Sequence, residues 1–402
     1  MVLSLAPAVA AHPDLECRIL ALTIAGNRLK PLGIPFKRCA DYLPLAGYEG
    51  AVELGTRLTD EIWDASSTVP HEESCAYLGV SMTDLIESVG EEQAWDEYRE
   101  KQRKAFLPIQ FLEKVLEVEK PDIVVTTCHV RMEKAAHLAA LKKGILSVRI
   151  EDLFGYSIFG NKPLDAPGPI LPKEEWPDRI IVPNESVRQR MLAVGLEDWR
   201  VAALGQPFLS NWVDELRSSG MMQRRRAYIN ENKPVITFFT PGLRELLYAL
   251  SKEIIKLAER RKDWKFVIKL HPGVPRNEFV AKVPALPENI ELTHDTDLKE
   301  LLTRSSVNVT YQSTVGYLGL LSGVSLVILN PTNRPAAVPY VSEGVALEAR
   351  SDAELETAIK RQFESHDATD IKGTIFEVLP GAAERIVDYM AQLPVKNKPF
   401  PA

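Results

Sequence analysis

Short runs rich in Val, Ile, Leu and Phe recur along the chain, and each is followed by a loop and then a stretch with apolar positions at helical spacing. The runs in the first half lie at 18–24, 33–39, 121–128, 145–150, 179–184 and 199–207. Those in the second half lie at 233–242, 264–273, 289–294, 306–312, 324–330 and 346–349. Continuous apolar runs, rather than alternating ones, mark strands buried on both faces. Strands that alternate with helices build parallel sheets, so the pattern predicts an α/β chain. Right-handed crossovers bring the loops that follow the strands to one edge of each sheet, where ligands of such sheets bind.

With 402 residues the chain is too long for one ordinary core. A polar stretch with Arg224, Arg225 and Arg226 separates the two sets of runs. The expected fold is therefore two Rossmann-like domains facing a cleft. Residues 1–208 would form the first domain and 209–372 the second. In 373–402 a helix near 381–392 would cross back to the first domain through Ile386, Val387, Met390 and Leu393. The chain opens at or just before a helix, 5–11. Met1–Ser4 as a degenerate first strand and a start further upstream both stay open. The glycine loop expected after a first strand is absent. A helical stretch is expected over Gln93–Glu119.

The net charge of −7 argues against a nucleic-acid partner. No run of about 18 apolar residues marks a transmembrane helix. The apolar N-terminus lacks a basic region, and Asp14 and Glu16 follow it, so it is read against a secretory signal. Cys17, Cys39, Cys75 and Cys128 stand far apart, without metal-ligand spacing, which fits a reducing cytoplasm. No cofactor is implied. Association with a membrane surface and self-association stay open.

Lys269-Leu270-His271-Pro272-Gly273 ends the run 264–273. Alternation along a strand puts Lys269 and His271 on one side at its mouth. An ammonium and an imidazole there suit a phosphate or diphosphate. The plainer alternative is a strand-end histidine bonded to the next loop. Gly242 ends the preceding run and opens a second loop at the same edge. In Tyr311-Gln312-Ser313-Thr314-Val315-Gly316, Ser313 or Thr314 would cap a helix over 314–322. Hydroxyls and free N–H groups would then cradle a phosphate; an ordinary cap needs only one of the two. Arg334, in the loop after 324–330, can pair with an anion or be solvated. In the first half, Glu151-Asp152-Leu153-Phe154-Gly155 follows the run 145–150. A carboxylate there can act as general base, or the segment is a solvated turn. His129, at the mouth of 121–128, can touch an acceptor. The arginine triple is read as a solvated helix face or linker. No acidic cluster has metal-ligand spacing.

These residues make the chain similar to bacterial GT-B enzymes of surface-polysaccharide assembly. The groups it resembles are the CDP-glycerol glycerophosphotransferases, the capsule and polysialic-acid transferases and, more distantly, the UDP-N-acetylglucosamine 2-epimerases. The resemblance covers about residues 120–365. It implies base catalysis by the acidic pair Glu151 and Asp152, nucleotide-phosphate binding at His271 and Pro272, and donor binding at Ser313 and Thr314. It implies an inverting, metal-independent transfer of a sugar or alditol phosphate from a UDP-, CMP- or CDP-linked donor to a hydroxyl acceptor. Thr332-Asn333-Arg334-Pro335 is similar to an epimerase loop. Where GT-B relatives place a ribose-binding Glu, this chain has Val315-Gly316-Tyr317-Leu318-Gly319, and Gly155 lies two residues further from the acidic pair than in the transferases. A nucleotide-sugar epimerase and a non-catalytic GT-B protein are the alternatives.

Overall fold

A computed structural model describes residues 1–45, 47–60, 69–152, 171–231, 233–283, 285–333, 338–364 and 370–394. The chain is α/β and divides into two Rossmann-like units, an architecture of the GT-B class. The described residues up to 208, together with 381–394, form unit 1; residues 209–380 form unit 2.

Unit 1 holds four parallel strands in the order β1 (Ile123–Thr126), β2 (Leu146–Ile150), β3 (Arg179–Val182) and β4 (Val201–Ala203). Helix Arg131–Lys143 carries the chain from β1 to β2 and stops at Gly144, whose left-handed φ of 67° suits a residue without a Cβ. The register sets Thr126 beside Arg149 and Ile150 beside Ile181. Leu146, Val148 and Ile150 point to one face. There they meet Leu5 and Val9 of helix Val2–Ala11 and Ala383, Ile386, Val387 and Met390 of helix Ala382–Ala391. Val124 points to the other face, against Phe111, Leu112, Met132, Ala135 and Ala139. A helical layer, Ala51–Thr59 crossing His71–Val89, extends that side. Gly55 makes the crossing: a Cβ there would lie 1.8 Å from the Cys75 carbonyl oxygen.

Three sequence expectations are corrected in unit 1. The runs 18–24 and 33–39 form no strands; they share one parallel bridge, Leu20 to Lys37. Thr23 takes a left-handed φ of 50° and a helix begins at Ala25, while Pro35 has no N–H for a ladder. The stretch 93–119 is two helices, Glu91–Lys101 and Ile109–Glu119. Gln102, at φ 51°, turns the chain out of the first, and Pro108 stands at the start of the second. Val2–Ser4 is helical, continuous with the residues that follow.

Unit 2 holds six parallel strands in the order β10-β9-β8-β5-β6-β7. They are β5 (Val235–Phe239), β6 (Lys265–Lys269), β7 (Ile290–Thr293), β8 (Val307–Thr310), β9 (Ser325–Leu329) and β10 (Leu347–Ala349). One face buries Ile236, Phe238, Phe266, Ile268 and Val309 under Leu247, Leu250, Ile254 and Leu257 of helix Arg244–Arg260 and Leu355 and Ile359 of helix Asp352–Glu364. The other buries Val235, Phe239 and Val267 under Trp212, Leu216, Leu301 and Leu302. The chain runs outward from β5 to β7, then returns to pair β8 on the opposite side of β5. Strand order therefore reverses between β5 and β8. At such a switch point the two following loops leave in opposite directions and open a crevice at the strands' C-terminal ends.

The arginine triple lies in helix Met221–Glu231. Arg224 donates to the Ser219 carbonyl at 2.6 Å. Arg225 is not solvated: it is half-buried, donates to the Ser305 carbonyl at 3.1 Å, and burial lowers its pKa to about 10.

Candidate functional site

At the reversal in unit 2, Thr240 follows β5 and its backbone N–H donates to the Lys269 carbonyl at 3.0 Å. Its hydroxyl accepts the His271 N–H at 2.9 Å. The His271 ring is exposed, and its Nδ1 accepts the Gly273 N–H at 3.0 Å. A nitrogen that accepts carries no proton, so the neutral ring must carry it on Nε2. The local turn thus presets His271 as a donor at the sheet edge. The turn is closed by Val274 N–H to the His271 carbonyl, 2.8 Å, with Val274 buried beneath it. Pro272 and Gly273 are exposed within the turn. Gly242 lets the ring lie close, since a Cβ there would stand 3.3 Å from it.

Arg244 ties the two loops together. Its guanidinium donates to the Gly242 carbonyl at 3.1 Å and the Gly273 carbonyl at 2.8 Å, and it pairs with Glu278 at 2.6 Å. That hydrogen bond holds the Glu278 carboxyl below its usual pKa. Sequence reading missed Arg244. Its only signal was a cation two residues after the loop glycine.

Lys269 and His271 are not brought onto one partner. The Lys269 ammonium donates to the His294 carbonyl, just past β7, whereas His271 is held against the loop after β5. Burial lowers the Lys269 pKa, opposed by Asp295 and Asp297. Beyond β8, on the other side of β5, helix Val315–Leu321 has Thr314 at its N-cap, and the Ser313 Oγ accepts the Val315 N–H at 3.3 Å. The Thr314 side chain makes no cap bond and is exposed. Arg334, Leu153, Phe154 and Gly155 lie outside the described residues.

In unit 1, Glu151 is buried, and its N–H donates to the Ile181 carbonyl at 2.9 Å. Asp152 is exposed, and Gln206 donates to its carbonyl at 3.1 Å and its carboxylate at 3.3 Å. At the mouth of β1, Glu133 folds its carboxylate back onto the N–H groups of Thr127, 2.5 Å, and Cys128, 3.0 Å. This side chain fills the turn that would otherwise offer donors to a ligand. Burial first, then Glu133, pushes the Cys128 thiol up to about 12.

His129 sits in a chain of buried groups. Its Nδ1 accepts from Arg149 Nη2 at 3.3 Å, and its Nε2 lies 3.5 Å from Glu175, which pairs with Lys134 at 2.9 Å. His137 Nε2 donates to the Glu175 carbonyl at 2.8 Å. Burial, then the Arg149 and Lys134 charges, lowers the His129 pKa to about 4; burial does the same for His137. Both rings are neutral at pH 7. Among the described residues no cluster of three or more His, Cys, Asp or Glu is placed to hold a metal ion, and no helix is long and apolar enough to cross a membrane.

No family model and no curated protein matches the chain. Solved structures do match in fold. A UDP-GlcNAc 2-epimerase from Methanocaldococcus jannaschii aligns with a TM-score of 0.59 at 15% identity, over 97% of this chain and 95% of its own. The UDP-GlcNAc 2-epimerase from Neisseria meningitidis, bound to UDP-GlcNAc, aligns with a TM-score of 0.57 at 15% identity, over 97% and 95%. The calicheamicin glycosyltransferase CalG4 aligns with a TM-score of 0.50 at 14% identity, over 97% and 89%.

Proposed function

We propose that this chain is an enzyme acting on a nucleotide-activated sugar, with the nucleotide diphosphate taken by unit 2 and the acid–base group supplied by unit 1. One observation carries the reading: His271, just past β6, is fixed as an Nε2–H donor against the loop after β5, the strand that borders the strand-order reversal of unit 2. A donor held in place before the ligand arrives costs no reorganisation when phosphate charge develops. Gly242, Pro272 and Gly273 shape the same edge, and Ser313 and Thr314 supply hydroxyls past β8. Lys269 adds positive charge at the β7 end, and Arg334 belongs to the loop after β9.

The first reading is inverting transfer to a hydroxyl. Glu151 or Asp152 takes the proton of the acceptor hydroxyl, the acceptor oxygen bonds to the sugar C1, and the C1–phosphate oxygen bond breaks. The nucleoside diphosphate leaves with the negative charge, which His271 meets. Glu151 is buried and Asp152 exposed, so the two are tested separately. The second reading is epimerisation at the sugar C2. It is supported by the two 2-epimerases, which align with higher TM-scores than the glycosyltransferase.

NMR of UDP-GlcNAc mixed with the protein separates these readings. Transfer releases UDP only when a hydroxyl acceptor is added; epimerisation gives a second nucleotide sugar without one. Glu151→Gln or Asp152→Asn should slow turnover by about 10²–10⁴ and leave donor affinity intact. Binding of UDP-, CMP- and CDP-linked donors without any turnover would refute an enzyme and leave a nucleotide-binding protein.

A further inference from the structure

Arg149 is fully buried at the C-terminal end of β2, and among the described residues no carboxylate bonds to its guanidinium. Pairing of Thr126 with Arg149 in the parallel register turns the guanidinium under helix Arg131–Lys143. There Nε donates to the Thr126 hydroxyl at 2.7 Å and Nη2 to His129 at 3.3 Å, both neutral acceptors. Among the described residues Nη1 has no hydrogen-bond partner. Arg261 pairs with Asp263 and Glu356 and Arg304 with Glu291, whereas Arg225, less deeply buried than Arg149, donates to the Ser305 carbonyl.

The neighbouring carboxylates do not fill the gap. Glu133 is spent on the Thr127 and Cys128 N–H groups, and Glu175 on Lys134. The charges of Glu151 and Glu133 reach Arg149 only far enough to oppose its desolvation, and burial still lowers its pKa. A buried cation without a bonded counter-ion is costly, so the unpaired Nη1 asks for an anionic partner. Val130 and Asp152, which follow the two strands at this edge, are exposed, so Arg149 lies one layer beneath the rim. A lysine ammonium could not hold Thr126 and His129 and still offer a planar N–H edge.

We propose that Arg149 Nη1 is the recognition point for an oxyanion, a carboxylate or phosphate, on the molecule that unit 1 binds. Resting on the reading above, this makes the acceptor an acidic hydroxyl compound rather than a neutral one. His129, fixed by Arg149, lines the same site.

The test is titration of the wild-type protein with inorganic phosphate and, separately, with acetate, read on the Arg149 side-chain N–H resonances. A saturable shift with either anion is expected, and which anion works identifies the class. Arg149→Lys should then weaken that anion by about tenfold or more, since a hydrogen bond to a charged group is lost. UDP affinity, read in the same variant, should not change. Resonances that ignore both anions, or equal affinity in Arg149→Lys, would overturn the proposal. The wild-type titration decides even where the variant does not fold. Failure of the wild type to bind UDP would instead count against the reading of unit 2.

Discussion

Acidification should weaken unit 1 through His137. The ring is 1% exposed, and burial lowers its pKa from 6.5 to about 4. The sign follows from linkage: the depressed folded-state pKa gives stability that is complete above 6.5 and lost as pH falls toward 4. With those two values, protonation of the unfolded chain alone takes away about 2 kcal/mol between pH 7 and pH 5. His137→Gln keeps a donor near the Glu175 carbonyl and removes the titration. Urea unfolding of wild type and variant at pH 7 and pH 5 measures the effect. The gap between them should shift by about 2 kcal/mol in the variant's favour on going to pH 5. A gap that stays constant with pH would refute the reasoning, as would a native-state His137 titration near 6.5.

Gly55→Ala should destabilise unit 1 by about 1–3 kcal/mol or more, because the new methyl would stand 1.8 Å from the Cys75 carbonyl oxygen, a backbone atom that cannot swing away; thermal melting checks this. Iodoacetamide at pH 7.5 should label Cys17, which is exposed, well before Cys39 and Cys75, which are buried, and Cys128, whose thiol is held near 12; peptide mapping of the labelled sites is the readout.

What the sequence disclosed follows from what burial does to composition. A strand covered on both faces, such as Leu326–Leu329, is apolar throughout, and the helices between such strands keep their own period. The run 18–24 is similarly apolar but joins no ladder beyond one bridge, Leu20 to Lys37, while Pro35 in the run 33–39 was a local signal against a strand. His271 was legible because Pro272 and Gly273 mark a strand end. Its tautomer was not, since that depends on the Gly273 N–H folding back. The partner of Lys269 was not legible because alternation gives a face but not a partner, and the His294 carbonyl at the next strand takes the ammonium. Arg149 and Gln206 carried no signal, because each acts across the register or between segments far apart in sequence, and Arg244 carried only that of a cation after the loop glycine. Nor could strand order be read: that β8 returns beside β5, and so opens the edge where His271 stands, is a property of the sheet.

The most direct test of the central claim, that the reversal edge of unit 2 takes a nucleotide diphosphate through His271, is calorimetric titration with UDP. Wild type and His271→Ala are compared, with CDP, CMP and GDP as the other ligands and the melting temperature of each protein measured alongside. Saturable UDP or CDP binding to wild type is expected, weakened about tenfold or more in His271→Ala, because a charge-assisted hydrogen bond is removed. The melting temperature should hardly move, since the ring is exposed. Equal affinity in the two proteins, or a lost affinity that comes only with a large fall in melting temperature, would contradict the account and make His271 a structural turn residue.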